Sequence, residues 1–111
     1  MDQNFETALD SFQALMQATI QEHYDRNGFT LAPPTITVTR GKRYAKLIAE
    51  EYRPDGSRLT GSVRAFVDTT SGDILMPAGA KAPAKHARGN IFDGDGGASS
   101  MNDQGLIRYL K

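Results

Sequence analysis

The 111-residue chain contains no cysteine. A disulfide framework, a thiolate metal ligand and a thiol nucleophile are therefore all excluded. No apolar run approaches the roughly 20 residues that a bilayer-spanning helix requires. Met1-Asp2-Gln3-Asn4 lacks the basic start and continuous apolar stretch of a secretory leader. The expected compartment is the cytoplasm. The first 25 residues lack lysine and arginine altogether; they carry five acids (Asp2, Glu6, Asp10, Glu22 and Asp25). All 13 cations fall in residues 26–111, against eight acids there. The formal net charge of zero thus hides an acidic first element and a positive remainder. A zero total speaks against a protein that coats nucleic acid, which is normally basic overall. It leaves room for a local pocket that takes a small anion. Motifs of catalysis are missing as well: there is no G-x-S-x-G, no Walker A and no dinucleotide fingerprint.

What is present patterns well. A 39% hydrophobic and 23% charged composition suits a globular protein, and the length suits a single domain over residues 1–111. Residues 4–25 read as one amphipathic helix, because Phe5, Leu9, Phe12, Met16, Ile20 and Tyr24 recur at three- and four-residue steps. Asn4 is the expected N-cap, and Asn27-Gly28 the stop. Thr35–Thr39 alternates polar and β-branched apolar residues and predicts a half-buried strand. Arg40–Arg43 reads as a cationic turn. Residues 44–52 fit strand or helix; the turn-like Arg53-Pro54-Asp55-Gly56-Ser57 after them favours a strand. Leu59–Asp68 predicts the best strand, with Val63, Ala65 and Val67 on one side and Ser62, Arg64 and Phe66 on the other. Ile74–Met76 is a short strand ended by Pro77. Residues 81–92 read as an irregular basic loop, since Pro83 and Gly89-Asn90 punctuate them. Residues 93–100 read as a flexible polar segment, and residues 106–110 as a closing strand or a tail packed on a neighbour. The fold class that follows is α+β: one long N-terminal helix packed on an antiparallel β-sheet of four to five strands.

Few residues suit catalysis. Glu50 and Glu51 are adjacent, so on a strand they face opposite ways and make a poor acid/base pair. His23 and His86 are the only histidines, without helical H-x-x-x-H spacing. Asp93-Gly94-Asp95-Gly96 starts like a calcium loop but lacks the later acidic ligands, and reads better as a surface loop. The cations form two groups: Arg40, Lys42, Arg43 and Lys46, and then Lys81, Lys85 and Arg88. A phosphate-bearing ligand needs such donors to converge, with glycine backbone nearby. Asn90 can read a base edge or a ribose hydroxyl, since its amide both donates and accepts. Phe92 and Tyr109 could stack on a base or simply pack in the core. The pattern leaves the direction of Arg64 open.

The run Gly72-Asp73-Ile74-Leu75, then Pro77-Ala78, then Lys81–Phe92, with Arg108-Tyr109-Leu110 at the end, resembles a group of small phage proteins. Gly41–Lys46, Gly61-Ser62-Val63 and Phe66-Val67-Asp68 fit too. The resemblance is to the first-described family of Thoeris anti-defence proteins. These are "sponges" that sequester a cyclic ADP-ribose signal. It spans about residues 36–111. It implies binding without turnover of a glycocyclic ADP-ribose in the cytoplasm of the infected bacterial host, so that an immune effector stays idle. It further implies a homo-oligomer, dimer or hexamer, no cofactor, and for some members cyclic trinucleotides at a separate site. By the same resemblance Asn90 and Arg108 would contact the base or ribose and the pyrophosphate. Arg88, Arg43, Lys46, Lys85, His86, Phe92 and Tyr109 are the further candidates. No catalytic residue and no metal ligand are expected. One departure is Ala80, where similar sequences often carry an aromatic residue. The alternatives are a small phage nucleic-acid-binding protein and a cyclic-nucleotide-degrading enzyme, in which His86 would have to act as the base.

Overall fold

A computed structural model describes residues 4–28, 32–53, 55–79, 81–102 and 104–107. Helix α1 runs Phe5–Asn27. Asn4 caps it, its side chain accepting from the backbone N–H of Glu6 and Thr7. Gly28 ends it at φ +63°, a conformation glycine adopts without a Cβ penalty. Five strands follow: β1 Thr35–Arg40, β2 Tyr44–Tyr52, β3 Arg58–Asp68, β4 Asp73–Pro77 and β5 Pro83–Asn90. They form one antiparallel meander in the order β1-β2-β3-β4-β5. The architecture is α+β, with α1 laid on one face of the sheet.

The apolar stripe of α1 explains the packing. Leu9, Phe12, Met16 and Ile20 are buried against Ile36, Leu47, Val67 and Ile74 of the sheet. Beneath them the sheet presents Ala45, Ala49 and Ala65, also buried. Small residues under large ones let the helix approach closely, which is how two layers reach interior packing density. Phe12 alone contributes on the order of 3–5 kcal/mol by comparison with truncations of buried phenylalanines. Two glutamines also tie helix to sheet. Gln17 donates to the Pro34 carbonyl and accepts the Ile36 N–H, at 2.9 and 2.7 Å. One turn earlier Gln13 donates to the Ile36 carbonyl at 2.8 Å. Both polar groups of Ile36 are thereby covered on the free edge of β1. A strand edge satisfied in this way offers no template to another chain at that point.

Two sequence expectations are corrected. The basic loop of residues 81–92 contains an edge strand: Pro83–Asn90 pairs with β4, with irregular register between Ile74/Leu75 and Leu75/Pro77. The backbone ladder makes the strand, although small and charged side chains give it no alternation. Residues 93–100 are pinned rather than flexible. Asp95 accepts the N–H groups of Gly97 and Ser99, residues 98–100 form a 3-10 turn, and Ser100 is buried with its hydroxyl on the Gly97 carbonyl. At the chain end Ile107 bridges to Met101, and the remainder of the closing segment expected over residues 106–110 lies outside the described residues. Residues 108–111 lie outside those described.

The alternation expected in β3 also breaks. Leu47 pairs with Ala65, but the next residue, Ile48, pairs with Val63, leaving Arg64 as the extra residue of a β-bulge. Val63 therefore shares a register position with Ile48 rather than the face of Ala65 and Val67. Phe66, although on the face away from α1, is fully buried.

Candidate functional site

On the sheet face away from α1, the register sets out a row: Thr39, Lys46, Phe66, Leu75 and Ala87 are successive cross-strand partners. Phe66 and Leu75 are buried there. Tyr44 packs its ring edge-to-face on Phe66, with centroids 5.8 Å apart and planes at 85°. Two cations lie against these rings. The Arg43 guanidinium is 5.2 Å from the Tyr44 centroid, and Lys46 Nζ is 5.6 Å from that of Phe66. Two acids near the patch accept hydrogen bonds. Asp68, opposite Tyr44, accepts the N–H groups of Thr70 and Ser71. Glu50 accepts from the Thr37 and Tyr52 hydroxyls. The result is a patch with two positive groups over π surface.

Arg43 is held in place by its backbone. The β1–β2 turn is stitched to the β3–β4 turn by Thr69, whose N–H donates to the Arg43 carbonyl at 2.8 Å and whose hydroxyl reaches the Lys42 and Arg43 carbonyls. The same β3–β4 turn holds Asn90. Its amide donates to the Ser71 carbonyl at 2.8 Å and to Asp73 Oδ1 at 3.0 Å, and its Oδ1 accepts the Phe92 N–H at 2.8 Å. Phe92 then covers Gly72, at φ +79°, so closely that a Cβ there would lie 2.7 Å from its ring. Only glycine fits that turn. The Phe92 ring also sits 6.4 Å from that of Phe5 and remains 38% exposed. Arg43, Asn90 and Phe92 therefore belong to one end of the sheet.

The remaining candidates are spread out. Lys85 and His86 are exposed on β5. Arg88, half-buried, donates to the His86 carbonyl and approaches the Met76 sulfur. An extended strand rises about 3.3 Å per residue, so Pro83 and Asn90 at the two ends of β5 are roughly 23 Å apart, with Lys81 in the turn before it. The dodecamer does not fold into one cradle. Arg108 and Tyr109 lie outside the described residues, as does Ala80.

Two carboxylates carry displaced acidities. The Ser57 hydroxyl and N–H hold Asp55 below the ordinary range, and the N–H groups of Gly97 and Ser99 do the same to Asp95. Both are exposed loop braces. Among the described residues, no three His, Asp or Glu side chains converge as a metal site would require.

Sequence reasoning left Arg64 undecided, and alternation could not have revealed the bulge that carries it. The structure turns Arg64 toward the helix side. There it lines a hollow of about 170 Å³ with Ile20, His23, Tyr24, Pro34, Gln104 and Leu106, and its Nε is buried without a hydrogen-bond partner among the described residues.

Comparison with known proteins gives a family without a role. The chain belongs to a family of unknown function, DUF7717, whose match covers residues 3–109. No curated protein and no solved structure matches. No helix among the described residues is long and apolar enough to cross a membrane.

Proposed function

We propose that this member of a family of unknown function is a binding protein that sequesters an anionic nucleotide signal of the cyclic ADP-ribose type without cleaving it. The observation that carries the reading is the patch of Arg43 and Lys46 against Tyr44 and Phe66. A pyrophosphate asks for fixed positive groups, which Arg43 and Lys46 supply, and a base asks for π surface, which the half-buried Tyr44 ring supplies. The resemblance of residues 36–111 to phage anti-defence sponges points the same way. It adds a bacterial host cytoplasm and a symmetric oligomer, a dimer or hexamer, in which a second copy would complete the pocket. Such assembly would let a small chain enclose a ligand that one copy leaves open.

A sponge must bind tightly and do nothing more. Submicromolar affinity corresponds to more than about 8 kcal/mol, within reach of several charge-assisted contacts and stacking. Calorimetry with cyclic ADP-ribose isomers and cyclic oligonucleotides tests it, followed by denaturation and mass analysis of what is released. Intact nucleotide is the expected product. A cleaved product would make the protein an enzyme instead. Binding only to long DNA or RNA, with a steep salt dependence, would make it a nucleic-acid-binding protein.

A further inference from the structure

We propose that Arg64 anchors a second site, separate from the outer-face patch, that receives the carboxylate or phosphate group of a small molecule with an apolar body. The bulge in β3 sets Arg64 out of the ladder, with Leu47 paired to Ala65 and Ile48 to Val63. Bulges re-aim a side chain, and they recur beside functional sites for that reason. This one brings Arg64 to the hollow under the last turns of α1, among Ile20, His23, Tyr24 and Gln104.

The guanidinium is left unanswered there. Its Nε is buried and has no hydrogen-bond partner among the described residues. Buried polar atoms in native proteins are nearly always paired, and a charged one left unpaired carries the full desolvation penalty. The Nε–H and an adjacent Nη–H form the side-on fork that matches the two oxygens of a carboxylate or phosphate. An oxyanion arriving in the hollow would satisfy what the fold leaves open.

The surroundings suit an oxyanion. His23 lines the hollow, and the Asn27 amide donates both to its carbonyl and to its Nδ1. Gln104 and Tyr24 bring further polar groups. On its other side Arg64 lines a second hollow of about 190 Å³ with Val63, Met76, Pro77, Leu106 and Ile107. Arg64 and Leu106 are common to both hollows. One end of the pair is polar and the other apolar. Together they approach the lower end of the range for small-molecule sites.

The test uses the intact protein and four probes: acetate, benzoate, inorganic phosphate and phenyl phosphate. NMR of the arginine Nε–H groups follows them, with Arg64 assigned by the signal that Arg64→Met removes. The site predicts that this signal shifts and saturates with benzoate or phenyl phosphate at about 1 mM or below, and that the aromatic member of each pair binds roughly tenfold tighter than the bare ion. Saturation by benzoate alone would mark a carboxylate site, and by phenyl phosphate alone a phosphate site. Arg64→Met should weaken binding at least roughly tenfold and leave the ligand-free melting temperature unchanged or higher, since an unpartnered cation is removed. Should Arg64→Met fail to fold, Arg64→Lys keeps the charge without the fork and should still lose most of the affinity. Two results overturn the proposal: no probe moves the Nε–H signal, or binding survives both substitutions.

Discussion

Asn90 makes three side-chain hydrogen bonds, two across to Ser71 and Asp73 and one to the Phe92 N–H beside it. On sequence alone, Asn90→Ala should abolish ligand binding and leave the melting temperature nearly unchanged. The structure changes the second half of that expectation. Losing the bonds to Ser71, Asp73 and Phe92 should lower stability by about 1–2 kcal/mol, measured by urea denaturation. Unchanged stability would mean that those bonds contribute nothing. Lys46 gives a cleaner probe of the patch. Lys46→Met keeps a chain long enough to cover Phe66 and removes the charge, so nucleotide affinity should fall roughly tenfold with the fold intact. Calorimetry on the folded variant checks it. Acid should loosen the two loop braces. Hydrogen bonds hold the folded pKa values of Asp55 and Asp95 below that of free aspartate. A lowered value contributes stability above the unfolded pKa of about 4, and that contribution is lost as pH falls through the folded one. Asp95→Asn should therefore flatten the decline in melting temperature below about pH 4; an identical decline would remove Asp95 from the account.

The elements divide by how each is specified. Helix α1, strand β1 and part of β3 were legible because their apolar residues keep a period, 3.6 for the helix and two for the strands, while β2 and β4 were read from the turn and proline signals that bound them. The cap at Asn4 and the stop at Gly28 were legible from local chemistry. Strand β5 was not, since Pro83-Ala84-Lys85-His86-Ala87-Arg88-Gly89-Asn90 has neither period nor β-branched residues. Its pairing comes from the free edge of β4, which lies elsewhere in the sequence. The bulge at Arg64 was hidden for a related reason: register belongs to a pair of strands. So the candidate residues were nameable individually, while their grouping was not. The loop after β5 shows what tertiary contact adds. Gly97 sits at φ +96°, where a Cβ would fall 2.6 Å from Ile74 Cδ1 and 3.0 Å from Phe12. Gly97→Ala should destabilise by about 2–4 kcal/mol, combining the left-handed backbone with overpacking. Thermal melting checks it, and an unchanged midpoint would contradict the packing described.

For the molecule as a whole, one face of the sheet carries the helix and the core, and the proposed nucleotide patch lies on the other. Helix α1 covers the first with apolar residues, and its acids accord with the negative charge of the opening residues. The second keeps Arg43 and Lys46 against their aromatic rings. That separation lets the binding face vary without rebuilding the core. It also predicts that a second copy engages the outer face or its edges rather than the helix. The most direct measurement of the central claim is calorimetry of the purified protein with cyclic ADP-ribose isomers, followed by mass analysis of the nucleotide released on heating. The account predicts submicromolar, stoichiometric binding of at least one isomer and its recovery intact. No binding below micromolar concentration, or recovery of a cleaved product, would contradict it.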